Sequence, residues 1–298
     1  MLKKRIVALI LLLAALLCLC SCAKDKESSF CIQFIDVGQG DAALVECDGH
    51  YMLIDGGEKS AGAKVSETLA EEGVRKLDIL VASHLHSDHI GGLIGALDHG
   101  PRIGRVISNA DDGDTETFRE FKQALRKSRS RIRIPSVGDR FELGSATVEV
   151  VDVSAREDND SLVLLITYGK TRFLFTGDIE RRAQLRVAEA LGLNREKQGD
   201  WVSLIKMPHH GAYHDDAGYA ENALYRLFWE YDPDYFVISV GEDNRYGHPH
   251  SETMALIEDM VVKAKGQAWE DHVFRTDERG DVTVRSNGKE IFVETSKR

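Results

Sequence analysis

The chain has 298 residues, 43% of them hydrophobic, and a formal net charge of −11. That apolar content is enough for a core without staples, and the acidic balance excludes a global electrostatic attraction to nucleic acid. The sequence shows no internal repeat and no low-complexity stretch.

Residues 1–22, "MLKKRIVALILLLAALLCLCSC", open on Lys3, Lys4 and Arg5 and run on through apolar residues from Ile6 to Cys20. These 15 residues fall short of the roughly 20 that span a bilayer. They match the basic start and apolar middle of a secretory signal. The closing "LCSC" is similar to a bacterial lipobox, with Cys22 as the lipidated first mature residue; an uncleaved anchor is the alternative. Either reading sends the chain out of the cytoplasm. Residues 23–29 read as a short polar tether and 30–298 as one globular domain. Losing Lys3, Lys4 and Arg5 with the signal takes the net charge from −11 to −14.

Short apolar runs rich in β-branched residues predict strands at Cys31–Val37, Ala42–Cys47, Tyr51–Ile54, Ile79–Ser83, Arg105–Ser108, Thr147–Val151, Leu162–Thr167 and Arg172–Thr176. Further strands are predicted at Val202–Met207, Tyr235–Val240, Val273–Thr276, Asp281–Ser286 and Ile291–Glu294. Helices are predicted over Ala61–Glu72, Gly92–Asp98, Thr115–Lys127, Arg181–Leu191, Ala217–Glu230 and Ser251–Lys265. This order suggests two sheets packed together with helices outside, an α/β (α+β) sandwich in four layers. If residues 30–37 and 42–47 pair as a hairpin, Cys47 shares a face with position 32 and Cys31 points to the other. A disulfide between them is then not expected, and both read as small core or edge residues. The stretch "REFKQALRKSRSRIR", residues 119–133, carries seven basic residues against Glu120. It reads as a solvated helix face followed by a loop, with a phosphate-binding patch as the alternative.

Polar motifs follow several predicted strands directly: "DVGQGD", "DGG" (Asp55–Gly57), "SHLHSDH", "TGD" (Thr176–Asp178) and "PHHG" (Pro208–Gly211). Side chains there are held by a sheet yet face solvent, and glycines let the backbone turn sharply or approach a ligand. In "HLHSDH", His84 and His86 stand two apart on an extended segment and can share a face on one metal ion. Asp88 and His89, past the turn, can address a second. Imidazole with carboxylate suits Zn²⁺, and also Mn²⁺ or Fe²⁺.

"HLHSDHIGG" resembles the signature of the metallo-β-lactamase-fold hydrolases. More narrowly, "FIDVGQGDAALVE", "LIDGG", "NDSLVLLI", "FLFTGDIE", "IKMPHHGA", "VISVGEDNRYGHPH" and "FRTDERGDVTV" resemble the extracytoplasmic hydrolase domain of ComEC-type DNA-uptake (competence) proteins. The resemblance runs from Phe30 to about Val284 and leaves out the membrane channel of such proteins; the motifs are also similar to secreted phosphorylcholine esterases. It implies a four-layer αββα metallo-β-lactamase sandwich holding two divalent ions, Zn²⁺ first and Mn²⁺ as the alternative. It implies His84 and His86 on the first ion, Asp88 and His89 on the second, Asp178 bridging, and His209 completing the second site, with His210 as the other choice.

One departure matters. Many members place a histidine ligand between HxHxDH and the bridging aspartate, and here the only histidine there is His99, which reads as a surface cap. The equivalent "EDNDS" offers Asp158, Asn159 or Asp160 as substitutes, or water, and an oxygen-richer shell would favour Mn²⁺. Asp88 is a candidate to accept a proton from the nucleophilic water, and His210 and His248 are candidates to protonate the leaving group. Asp36, Gln39 and Asp41 read as the floor of the site, and Asp55 as an orienting partner for a ligand imidazole. The resulting expectation is an enzyme, an extracytoplasmic phosphodiesterase tethered through a lipid on Cys22 and acting on DNA. Phosphorylcholine or another small phosphodiester or ester is the alternative substrate. In that case a site aromatic (Trp229, Tyr231, Tyr213 or Tyr246) would meet choline through cation–π contact. An inert binding lipoprotein is the remaining, least favoured reading.

Overall fold

The computed structural model describes residues 29–98, 100–156, 159–192, 200–214 and 222–297. The signal, lipobox and tether readings, His99, Asp158 and the start of the helix predicted from Ala217 lie outside these residues. No helix among them is long and apolar enough to cross a membrane.

Two mixed sheets face each other. The first holds β1 (Phe30–Phe34), β2 (Ala43–Cys47), β3 (His50–Ile54), β4 (Lys76–Ala82), β5 (Arg102–Ser108), β6 (Ile132–Arg133), β14 (Val282–Ser286) and β15 (Ile291–Thr295). Its order is β15-β14-β1-β2-β3-β4-β5-β6. The second holds β7 (Arg140–Leu143), β8 (Ala146–Asp152), β9 (Val163–Tyr168), β10 (Thr171–Phe175), β11 (Val202–Lys206), β12 (Tyr235–Ile238) and β13 (Val273–Arg275), in the order β13-β12-β11-β10-β9-β8-β7. Alternate residues such as Phe30, Ile32 and Phe34 interleave with Leu164, Phe173 and Phe175 across the gap between the sheets.

Helices close both outer faces. The first sheet is covered by α1 (Gly62–Glu71), α2 (Ser87–Leu97) and α3 (Glu116–Lys127), through Val65, Leu69, Ile90, Leu93, Phe118 and Phe121. The second is covered by α4 (Arg181–Gly192), α5 (Ala223–Tyr231) and α6 (Ser251–Glu258), the last continuing in wider π turns through Ala264. A short α7 (Thr276–Arg279) leads into β14. With both faces covered, β10 is buried at every position. This is the four-layer αββα sandwich expected from the motifs.

The departures from the predicted elements have local causes. The strands β6 and β7 are short, charged and at the edge of their sheets, where apolar alternation is weak. Helix α2 begins at Ser87 rather than Gly92, so Asp88 and His89 sit in its first turn. Its glycines serve close packing. A Cβ on Gly92 would stand 1.8 Å from the carbonyl oxygen of Gly56. Gly92→Ala is therefore expected to destabilise the fold by about 3 kcal/mol, the upper end of overpacking costs, because backbone must move. Thermal denaturation checks this, and an unchanged Tm would show that α2 slides aside freely.

The hairpin register places Cys47 opposite Phe30 and Cys31 opposite Glu46. Cys47 is in the core with Ile32, Cys31 is on the other face, and both thiols are free.

Candidate metal centre

The ends of β3, β4, β10, β11 and β12 converge at one rim of the sandwich. All five belong to parallel pairs, and carboxyl ends of parallel strands leave side chains and backbone amides facing a crevice. Asp55 leaves β3 with a left-handed φ of 59° and is buried, its carboxylate accepting from the Ser83 amide at 2.7 Å and the Ser83 hydroxyl at 2.6 Å. The loop "DVGQGD" lies over the start of α2: a Cβ on Gly40 would meet the Asp88 carbonyl oxygen at 2.3 Å, and the Asp41 amide donates to that carbonyl at 3.2 Å.

Four residues from three segments, Asp88, His89, Asp178 and His210, bring one ligating atom each within 4.8 Å of all the others. His89 Nδ1 donates to Asp55 at 2.9 Å, so in the neutral ring Nε2 carries a lone pair, and it faces Asp178 Oδ2, 3.1 Å away. His210 Nδ1 donates to the Ser239 carbonyl at 2.9 Å. Its Nε2 lies 3.4 Å from Asp178 Oδ2 and 3.4 Å from Asp88 Oδ2. His84 Nδ1 faces Ser83 Oγ at 3.2 Å and Ser161 Oγ at 3.3 Å. Ser83 spends its proton on Asp55, so it can only accept from His84, and His84 Nε2 is likewise a lone pair.

With the rings neutral, lone pairs and carboxylate oxygens would repel one another at these distances unless something positive, a proton or a metal ion, stands between them. Among the described residues, His84 Nε2, His89 Nε2, His210 Nε2 and Asp178 Oδ1 are buried with no hydrogen-bond partner. Ligands about 2.0–2.1 Å from a shared ion in tetrahedral array stand roughly 3.3–3.5 Å apart. The residues thus fit a divalent ion of the Zn²⁺ or Mn²⁺ type.

The ionic balance agrees. Burial opposes charge on His89, but Asp178 and Asp55 outweigh it and hold its pKa well above the ordinary imidazole range. His210 behaves alike, with burial overcome by Asp178 and Asp41. Asp178 is held well below the usual carboxylate range, its burial outweighed by His210 and His89. These pairs hold protons where an ion would otherwise sit. His84 is pushed well below, by burial first and then by His89.

The histidine doublet divides. The structure puts His210, not His209, in the quartet. Both have left-handed φ, 47° and 55°, and the turn swings the two rings apart. His209 Nε2 lies 3.9 Å from Asp178 Oδ2, while its Nδ1 faces Glu180 at 3.4 Å. His84 and His86 lie edge to face at 4.5 Å, with His84 4.1 Å from the His89 ring. Neither belongs to the quartet.

Other predicted residues sit further out. Asp160 is turned to Arg186 at 2.9 Å, and Asn159 donates to Glu180 at 2.5 Å. Asp36 accepts from Gly38 and faces Lys297, away from the quartet. Gln39 accepts from the Gly241 amide at 3.3 Å. Asp41 is under the centre, its Oδ1 3.3 Å from His210 Nδ1. His248 is buried at the rim, 5.5 Å from the His209 ring, and stacks on exposed Tyr246 at 5.5 Å. Burial first, then the imidazoles of His209, His210 and His250, push its pKa down to about 4, so it is neutral at pH 7. Of the named aromatics, Tyr231 is core, bonded to the Leu204 carbonyl, and Tyr213 and Trp229 pack with or lie on the helices outside the second sheet.

Lys206 was not singled out from sequence. It is buried, ion-paired to Asp41, donates to the Gly177 carbonyl at 3.3 Å and stands 4.0 Å from Asp178 Oδ1. A lysine inside the apolar strand "VSLIK" was its legible signal.

The basic stretch is no patch at this rim. The first turn of α3 is near Leu85, since Gly113 faces both Phe118 and Leu85, but its last turn reaches Asp98 at the far end of α2 through Lys127. Lys127 therefore points to the opposite end of the sandwich.

Fold and site define a metal-dependent hydrolase of the metallo-β-lactamase type, and the chain belongs to that superfamily, whose family model ("Metallo-beta-lactamase superfamily") matches residues 35–239. It is similar to "ComE operon protein 3" of Bacillus subtilis (strain 168), 26% identical over 276 residues, covering 85% of this chain and 33% of that protein. It is also similar to "Competence protein ComA" of Neisseria gonorrhoeae, 27% identical over 228 residues, covering 75% of this chain and 29% of that one. The chain thus spans about a third or less of these relatives. Among solved structures, the metallo-β-lactamase fold protein YhfI from Bacillus subtilis superposes with a TM-score of 0.50 at 13% identity, covering 88% of this chain and 99% of that one. At that identity the likeness is one of fold.

Proposed function

We propose that the protein is a dinuclear metal-dependent phosphodiesterase acting on DNA outside the cytoplasm, tethered through a lipid on Cys22. The observation that carries the hydrolytic part is the set of buried, partnerless Nε2 atoms facing carboxylate oxygens at the rim. His89, His210, Asp88 and Asp178 would hold one ion, and His84, His86 and Asp178 the other, with Zn²⁺ the first choice and Mn²⁺ the second. When bound, such a pair supplies a hydroxide at neutral pH and offsets charge on phosphoryl oxygens.

The chain's own groups do the rest. Asp55 and the Ser239 carbonyl fix the rings of His89 and His210 so that Nε2 faces inward. Asp88, the most exposed of the quartet, stands on the solvent side, where it can take a proton from an attacking water.

DNA is supported by the competence relatives and by half-exposed Tyr246 beside the centre, whose ring rests on His248 and carries the Arg245 guanidinium 4.9 Å from its centroid, an aromatic and a cation that a base with its phosphate would meet together. With a net charge of −14 on the mature chain, grip must come from such local contacts rather than from a basic groove. Tyr246→Ala is expected to raise KM for single-stranded DNA roughly 5- to 150-fold, the loss of one stacked base, with bis-p-nitrophenyl phosphate unaffected. Equal effects on both substrates would remove the stacking role. The same ring could meet a choline cation, so the deciding experiment is a panel on Zn²⁺- or Mn²⁺-loaded protein: single-stranded DNA, bis-p-nitrophenyl phosphate, a choline phosphodiester and a β-lactam. Cleavage of only the last two would refute the nuclease assignment. For the anchor, Cys22→Ser is expected to release the protein from membranes into the medium, and unchanged membrane fractionation would count against lipidation.

A further inference from the structure

We propose a third divalent-cation site, separate from the proposed dinuclear centre, formed by Glu180, His209 and His214. Their ligating atoms all lie within 4.8 Å of one another. Glu180 Oε1 is 3.4 Å from His209 Nδ1 and 3.5 Å from His214 Nε2. Both separations exceed a good charge-assisted hydrogen bond, about 2.7–2.9 Å. They match the roughly 3.3–3.5 Å edge of a tetrahedral zinc shell. His209 Nδ1 is buried and makes no hydrogen bond among the described residues.

The donor set is two imidazoles and one carboxylate, which leaves a fourth position open, as catalytic zinc sites do. Asn159 Nδ2 donates to the same Oε1 at 2.5 Å and holds the carboxylate in place. The left-handed backbone at His209 is a strained conformation for a side-chain-bearing residue, kept where it directs one ring of the doublet outward and the other inward. Glu180 and His214 are partly exposed, so the open position faces solvent at the mouth of the centre. The ligand it would take there is a water or an oxyanion of the substrate.

The test is zinc stoichiometry by elemental analysis, after equilibration with buffered free Zn²⁺, of wild type, His214→Ala and Glu180→Gln. Each variant is expected to hold one zinc fewer than wild type while keeping the wild-type circular dichroism spectrum. The zinc remaining in His214→Ala reports separately on the dinuclear reading: two if that reading holds, fewer if it fails. Equal zinc in wild type and both variants would overturn the third site, leaving a carboxylate shared by two imidazoles. Loss of more than one zinc in either variant would overturn it too, since the cluster would then be part of the main centre.

Discussion

Asp178→Asn is expected to lower kcat/KM for a phosphodiester by about 10³-fold or more, because several kcal/mol of charge stabilisation go with the ions and each 1.36 kcal/mol is tenfold. Asp178 is the residue that ties the halves of the rim together. Its Oδ2 faces Nε2 of both His89 and His210, which arrive from α2 and from the turn after β11. An amide brings no negative charge to an ion held between those nitrogens, and in one of its two orientations it turns an N–H group toward that ion. The Asp178 amide is held by Ser161 Oγ at 3.0 Å, so the backbone stays in place and the loss is one of charge. Steady-state kinetics on bis-p-nitrophenyl phosphate checks this. Activity retained within about tenfold would mean that the carboxylate does not organise the site.

Lys206→Met is expected to destabilise the metal-free protein by about 3–5 kcal/mol, the cost of leaving a buried carboxylate without its partner. The carboxylate is Asp41, held below the usual range because Lys206 and His210 outweigh its burial. A buried ion pair is weak evidence for stability in itself, since well-packed apolar groups often serve as well. The double variant Lys206→Met/Asp41→Asn is therefore expected to recover part of the loss, with a coupling of about 2 kcal/mol. Urea denaturation of the four proteins measures it. Strict additivity would show that the two charges do not depend on each other. A lysine in this place also keeps Asp41 engaged, so that its other oxygen stays on His210 Nδ1 rather than turning into the centre.

Much of the site was legible because its residues follow strand ends in compact motifs. The short spacing of "HLHSDH" forces its side chains together whatever the rest of the fold does, and "TGD" follows a strand whose every position reads as buried. The doublet "PHHG" was less legible. Which ring faces inward depends on two successive left-handed residues, and no periodicity encodes that. Lys206 and Asp41 lie 165 positions apart in sequence, so their pairing follows from two sheets closing on each other. The start of α2 was hidden because Ser87, Asp88 and His89 read as a polar turn after a strand, whereas they form the helix's first turn, and the Gly56 carbonyl against Gly92 shows why a glycine sits in its middle. The basic run at 119–133 reads as continuous, yet the 12-residue helix α3, about three turns long, spreads Arg119, Lys122, Arg126 and Lys127 along its axis from Leu85 toward Asp98, and Arg129, Arg131 and Arg133 follow its end.

Crystals equilibrated with Zn²⁺ and measured at the zinc absorption edge test the central claim most directly. Besides the peak expected at Glu180, His209 and His214, two anomalous peaks are expected about 3.5–4 Å apart, one bonded to Asp88, His89, Asp178 and His210 and the other to His84, His86 and Asp178. A map with no peak in bonding contact with Asp178, or with His210 Nε2 still bare in the metal-loaded protein, would contradict it.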